Sequence, residues 1–134
     1  MPTLPLYNPM TITKTQKGDR THYAIDASGQ SLGRVASEAA SALLGKKSAQ
    51  FMKNEVLPVE VTISNANQLA MTEKRIKGKE YTHYTGYPGG LRITPLSRLI
   101  ENKGVRAAIE KAVDGMIPRN KLRKERMKRL TITD

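Results

Sequence analysis

The stretch between Lys74 and Arg92 combines the residue types that bind a folded polyanion. It holds five Lys or Arg, three Tyr, one His and four Gly. Cations neutralise phosphates, aromatic rings stack on bases, and glycines let the backbone approach a ligand closely. The stretch therefore predicts a surface for nucleic acid, RNA above all. The candidate contacts are Lys74, Arg75, Lys77, Lys79, His83, Tyr84, Tyr87 and Arg92.

A second basic region covers residues 119–129, which carry seven basic side chains against the single acid Glu125. Like charges at this density repel one another unless an anion lies between them, so we expect the segment to be ordered only against phosphates. We predict that no face of it is apolar enough to pack. The candidates here are Arg119, Lys121, Arg123, Lys124, Arg126, Lys128 and Arg129, with Arg34, Lys46 and Lys47 as further phosphate contacts.

Catalytic chemistry has weaker support in the sequence. There is no cysteine, and His22 and His83 do not lie at metal-ligand spacing. The turn from Gly29 to Arg34 lies between a strand and a helix and could bind a phosphate, but the dinucleotide pattern also needs an earlier glycine. The alternative is a small phosphate- or nucleotide-binding enzyme that uses this turn, with Asp26 as its one well-placed acid. We predict no catalytic residue, metal, cofactor or small-molecule substrate, and we expect Asp26 to form a turn.

The net charge also favours a polyanionic partner. The 134 residues carry a formal net charge of +11, from 23 Lys and Arg against 12 Asp and Glu, and most of the excess lies in the second half. Such a field attracts nucleic acid or an anionic membrane. A membrane partner is not expected, because there is no long apolar run, no secretory start and no basic helix with an apolar face. A free-standing DNA-binding protein would need a recognition helix, which the sequence does not offer.

The predicted strands and helix in the first half of the chain indicate an α/β domain, which must position the basic residues. Residues 22–26 predict a short buried strand, and residues 59–63 alternate as a strand does. Between them, Ser31 begins a helix whose apolar residues recur at 3.6 spacing until Gly45 ends it. The order strand, helix, strand predicts a parallel pair.

The second half predicts further helices and an edge strand. Residues 72–95 indicate a loop or hairpin outside the core, and Pro95 can open a helix. The apolar stripe from Val105 to Met116 predicts a helix that must face the sheet. Residues 130–133 alternate like an edge strand.

The N-terminal residues 1–20 contain three prolines and little apolar periodicity. They predict an extended arm rather than a folded element. The remaining residues, 21–134, are long enough for one domain with a modest core.

Seven short motifs, taken in order, resemble the large-subunit ribosomal protein family numbered thirteen, of bacterial type. They are YAIDA from Tyr23, LGRVAS from Leu32, LGK from Leu44, NA from Asn65, KEY from Lys79 with His83, GYPGGL from Gly86 and GMIPRN from Gly115. The resemblance covers about residues 20–133.

The resemblance implies a three-layer α/β/α domain around a small mixed, mainly parallel sheet. It implies a structural protein of the cytoplasmic ribosome that binds large-subunit rRNA early in assembly, contacts neighbouring large-subunit proteins and performs no catalysis. By position, the RNA-facing parts are the turn at 32–34, the basic loop 72–95 and the segment that runs from Met116 into residues 119–129.

Overall fold

The computed structural model describes residues 10–14 and 20–134 of the chain. The strands in this part of the chain are β1 (Met10–Lys14), β2 (Thr21–Asp26), β3 (Val59–Ser64), β4 (Glu80–Tyr84), β5 (Leu91–Pro95) and β6 (Leu130–Ile132). The helices are α1 (Leu32–Leu44), α2 (Glu73–Gly78), α3 (Leu96–Lys103), α4 (Val105–Met116) and α5 (Arg123–Lys128), with a short 3₁₀ helix at Ala66–Gln68.

The main sheet has the strand order β1, β2, β3, β6. Strand β3 runs parallel to β2 and to β6, whereas β1 runs antiparallel to β2. The α/β class, the mainly parallel sheet and the edge strand near the C-terminus are confirmed.

The predicted N-terminal arm is wrong for residues 10–14, because β1 is part of the sheet. Met10 lies opposite Ile25, and Lys14 lies opposite Thr21. The three prolines that suggested an unpaired arm all precede β1 in the sequence, so they remove no donor from this pairing. Residues 1–9 and 15–19 of the predicted arm lie outside the described residues, whereas Arg20 is described.

Helix α1 forms the middle layer of the domain. It packs against β2 and β3 on one side and against α4 on the other. Its buried residues are Leu32, Val35, Ala36, Ala39, Ala40, Ala42, Leu43 and Leu44. The four alanines allow the sheet and α4 to approach the helix axis closely. The predicted limits are confirmed: Ser31 is the N-cap residue, without a side-chain hydrogen bond, and Gly45 ends the helix in the left-handed region at φ 82°.

The stripe of α4 does not face the sheet as predicted. The helix packs mainly against α1 and α3, with Ala108, Ile109 and Val113 buried. Met116, the last residue of the stripe, is 43% exposed. A stripe at helical spacing specifies an apolar partner but not which element supplies it. Helix α1 thus packs on the sheet, and α4 packs on α1.

The opposite face of the sheet is polar. His22 on β2 and Thr62 on β3 point to this face, and the His22 Nε2 and Thr62 Oγ1 atoms lie 2.9 Å apart, within hydrogen-bond distance. Glu60 on the same face forms an ion pair with Arg20 at 2.6 Å. The side chain of His22 is thus engaged within the sheet.

Asp26 holds the turn that leads from β2 into α1. Its Oδ1 atom accepts hydrogen bonds from the backbone N–H of Ser28 at 2.9 Å and from the Asn65 Nδ2 at 3.0 Å. The Asn65 bond and then the Ser28 bond hold the pKa of Asp26 below its usual 3.8. The carboxylate is therefore engaged in turn formation, and this expectation is confirmed.

The prediction that residues 119–129 have no packing face is wrong. Arg126 on α5 is only 2% exposed, and its Nη2 donates to the carbonyl of Glu55 at 3.3 Å. The Nη1 of Arg129 donates to the carbonyl of Leu57 at 2.8 Å. An arginine buries its apolar stem readily when its guanidinium finds carbonyl acceptors, so a basic segment can pack without an apolar face.

The Asp26 turn predicts a pH-dependent contribution to stability. Asp26→Ala should lower the free energy of unfolding at neutral pH by about 1 kcal/mol, the ordinary net value of such bonds at an exposed site. The difference from wild type should shrink as the pH falls through the lowered pKa, because protonation removes the same advantage in wild type. Urea unfolding at neutral pH and near pH 3 measures both values. Asp26→Asn keeps an oxygen acceptor without a charge, so the difference in stability between Asp26→Asn and Asp26→Ala should not change with pH. An equal loss for Asp26→Ala relative to wild type at both pH values would contradict the assignment.

The burial of Arg126 predicts a small effect on the free energy of unfolding for one substitution and a large effect for another. Arg126→Met should change the free energy of unfolding by less than about 1 kcal/mol, because an apolar side chain of similar volume replaces a buried cation whose Nε lacks a partner in residues 20–134. Arg126→Glu should lower it by about 3 kcal/mol or more, because it places a carboxylate against backbone carbonyls. Thermal and urea unfolding of both variants measure this. Equal stability of the two would show that the side chain is free in solution.

Candidate nucleic-acid interface

Strands β4 and β5 form a two-stranded hairpin that is separate from the main sheet. The strands pair antiparallel, with Tyr84 opposite Leu91 and His83 opposite Arg92. All four of these side chains are exposed. The prediction of a hairpin within residues 72–95 is confirmed.

The three tyrosines of the hairpin have different surroundings. Tyr84 is 61% exposed and Tyr87 is 75% exposed, so both rings are open to a stacking partner. Tyr81 packs instead on the small second core around Leu96 and Leu99. Burial raises the pKa of the Tyr81 phenol, which keeps its hydroxyl neutral.

Helix α2 lies in the region that was predicted as loop or hairpin, and that prediction is wrong for Glu73–Gly78. The Thr72 hydroxyl accepts a hydrogen bond from the backbone N–H of Arg75, which caps the helix. Glu73 in the first turn and the basic residues of the last turn suit the helix dipole. The capping residue and the charge pattern of α2 were thus visible in the sequence. The helix carries Lys74, Arg75 and Lys77 as exposed side chains.

A cleft of about 340 Å³ gathers side chains from four elements. Gly33 lines it from the start of α1, Arg75 from α2, Lys79 and Tyr81 from the beginning of the hairpin, and Lys111 from α4. The fold therefore brings two of the predicted cations, Arg75 and Lys79, to the first turn of α1. Arg34 is exposed directly after Gly33.

Lys111 was not among the sequence candidates. On α4 it follows Glu110 and belongs to no basic cluster, so nothing in the sequence distinguishes it from a solvated helix position. In the structure its Nζ lies 5.1 Å from the centroid of the Tyr81 ring. Only the packing of α4 beside the hairpin reveals this residue as part of the basic surface.

The cations of α2 and the hairpin have no acidic partner within residues 20–134. The ion pairs in this range use other basic residues, namely Arg20, Lys47, Arg106 and Arg123. The unpaired candidates of this region are Lys74, Arg75, Lys77, Lys79 and Arg92. None of them forms an ion pair with a carboxylate of residues 20–134, so an anion can bind there without displacing one.

The candidates on α1 lie at its two ends. Arg34 is in the first turn, which contains no acid and no side-chain cap. Lys46 and Lys47 follow the last turn, about 18 Å away at 1.5 Å per residue. Lys47 pairs with Glu38 at 3.9 Å, and its Nζ lies 5.9 Å from the Tyr23 ring centroid. The structure thus brings Arg34 near the cleft but separates both lysines from it.

The candidates in residues 119–129 fall into two sets. Exposed side chains occur at Arg119, Lys121, Lys124 and Lys128. The other three are engaged by the protein itself, since Arg123 pairs with Asp114 at 3.2 Å while Arg126 and Arg129 bind backbone carbonyls.

The turn from Gly29 to Arg34 gives little support to an enzyme. Asp26, the acid nearest to it, is committed to the turn by two hydrogen bonds. Residues 20–134 contain no group of three His, Asp or Glu side chains that could hold a metal ion. Among the described helices, none is both long and apolar enough to cross a membrane.

Comparison with known proteins identifies the family. Residues 20–133 match the family model described as Ribosomal protein L13. The protein of Moorella thermoacetica named large ribosomal subunit protein uL13 is 40% identical over 121 residues, which cover 90% of this chain and 83% of that protein. The protein of the same name from Desulfitobacterium hafniense strain DCB-2 is 43% identical over 81% of this chain and 76% of its own length. That from Mycoplasmopsis synoviae is 38% identical over 91% and 84%, respectively. The match over most of both chains shows that this chain belongs to the ribosomal protein L13 family.

Proposed function

We propose that this chain binds large-subunit ribosomal RNA through the basic surface of α2, the hairpin and the start of α1, and supports early assembly of the subunit. Its family makes it a structural, non-enzymatic constituent of the large ribosomal subunit, located in the cytoplasm. The observation that carries the proposal is the group of exposed cations on α2 and the hairpin that form no ion pair within residues 20–134.

The electrostatics favour a highly charged partner over a small ligand. The net charge is +11, and the exposed cations extend from α1 across α2 to the hairpin. A compact anion neutralises only a few of these charges, whereas an RNA backbone presents a phosphate to each of them. The proposed phosphate contacts on this surface are Arg34, Lys74, Arg75, Lys77, Lys79 and Arg92.

The hairpin adds stacking to charge. Tyr84 and Tyr87 expose most of their rings, although an aromatic ring ordinarily packs into a core. RNA offers unpaired bases in loops and bulges that stack on such rings. His83 and Arg92, which lie opposite each other on the hairpin, supply donors beside them. Stacking and phosphate contacts on one rigid hairpin favour a folded RNA with unpaired bases.

We also assign rRNA contacts to Arg119, Lys121, Lys124 and Lys128 in the C-terminal segment and to Lys46 and Lys47 at the other end of α1. We assign Arg123, Arg126 and Arg129 to the protein's own packing, because their guanidinium groups already have partners in the fold. Neighbouring large-subunit proteins are the remaining proposed partners. A role in early assembly requires that the chain bind rRNA before those proteins do.

Binding to protein-free large-subunit rRNA tests the proposal. With about six to ten phosphate contacts, the affinity should fall by about 10³ to 10⁵ between 50 and 200 mM salt. Filter binding across a salt series measures the slope, and an equal mass of double-stranded DNA serves as the control nucleic acid. In cell extracts the chain should sediment with the large subunit and leave it at high salt. Binding to completed subunits without binding to free rRNA would contradict a role in early assembly.

The exposure of Tyr87 predicts a loss of rRNA affinity when its ring is removed. Tyr87→Ala should weaken rRNA binding by about fivefold to 150-fold, since a stacked base contributes about 1–3 kcal/mol. Tyr87→Phe keeps the ring and should bind within about twofold of wild type. The melting temperature of both variants should match wild type, because Tyr87 is exposed. Equal affinity of Tyr87→Ala and wild type would remove Tyr87 from the interface.

A further inference from the structure

The cleft between α1, α2, the hairpin and α4 has a cationic rim. Arg75, Lys79 and Lys111 line it from three different elements, and none of the described residues around it is acidic. All three side chains are exposed and none forms an ion pair within residues 20–134. The fold therefore brings three positive charges together without compensating any of them.

The ring of Tyr81 lies close to two of these cations. The Nζ of Lys79 is 5.6 Å and the Nζ of Lys111 is 5.1 Å from the ring centroid. Lys79 is extended and directly precedes β4, and Tyr81 is the second residue of that strand, so their side chains point to the same face. Each ammonium is attracted by the ring, but the two ammonium groups repel each other. An anion placed between them relieves that repulsion.

The interior of the cleft is apolar. Leu32, Leu96, Ala112 and Met116 line it below the cations. Met116 is 43% exposed, although it continues the apolar stripe of α4. An exposed methionine is a soft, adaptable contact surface for a flat or irregular ligand. The volume of about 340 Å³ is that of a small-ligand pocket rather than of a bare phosphate site.

We propose that this cleft binds one unpaired nucleotide of the large-subunit rRNA. Its phosphate lies between Arg75, Lys79 and Lys111, and its ribose or base covers Met116 and Leu32. The proposal rests on the proposed function and adds a site and a residue, Lys111, that the sequence did not indicate. Tyr81 acts as a positioning residue, because the ammonium groups of Lys79 and Lys111 both lie near its ring.

Two substitutions separate the phosphate contact from the apolar contact. Lys111→Gln should lower affinity for protein-free large-subunit rRNA by about fourfold at 150 mM salt and reduce the slope of log K against log salt by about 0.7. Met116→Ala should lower affinity by about threefold and leave the slope unchanged, because it removes apolar contact and no charge. Lys53→Gln is the matched control: it removes one exposed lysine charge outside the cleft and should keep the wild-type slope. Melting temperatures confirm that all three variants fold.

The outcomes distinguish this inference from the proposed function. If wild type binds free rRNA but Lys111→Gln has the same slope as Lys53→Gln, the cleft proposal is overturned and RNA binding stands. If Met116→Ala keeps wild-type affinity, the ribose or base does not occupy the cleft and the proposal is overturned as well. If wild type does not bind free rRNA, both proposals fail. Millimolar AMP should leave the wild-type melting temperature unchanged; an increase would assign the cleft to a free nucleotide instead.

Discussion

The close packing of α1 between the sheet and α4 is the contact on which the rest of the domain depends. A chain of 134 residues can build only a modest core. Polar side chains of β2 and β3 occupy one face of the sheet, so only the other face contributes to the core. A helix in the middle layer must be apolar on both sides and slim enough for both neighbours to reach it, which explains its alanines. Gly45 ends the helix against Leu57, where a Cβ atom would collide with that side chain. The position of α1 in turn fixes the turn before it and the basic residue in its first turn.

The basic surface rests on a second, smaller core. Leu96, Leu99 and Ala108 join α3 to α4, and Tyr81 attaches the hairpin to them. Because α4 also packs on α1, the hairpin and α2 are held relative to the sheet through two layers of contacts. A rigid arrangement of this kind suits an RNA surface, since phosphates must meet cations at fixed positions.

Arginines perform two different tasks in this protein, and local charge density does not distinguish them. Arg126 and Arg129 lie in the most basic part of the chain, yet their guanidinium groups donate to the carbonyls of Glu55 and Leu57. They thereby fix the irregular segment before β3 against α5. Arg34 and Arg75, by contrast, are exposed and form no ion pair within residues 20–134. The difference depends on whether a backbone segment with free carbonyls passes nearby, which is a property of the tertiary structure.

Features that depend only on residues nearby in the sequence could be predicted from the order of the amino acids alone. The 3.6 periodicity and end signals of α1, the alternation in β2 and β3, and the turn-forming role of Asp26 are all local, and so they were predictable. The pairing of β1, the partner of α4, the burial of Arg126 and the approach of Lys111 to Tyr81 depend on distant segments, and only the tertiary structure decided them. A charge or an apolar stripe requires a partner, but many segments can satisfy that requirement, and the packing of the whole chain selects one.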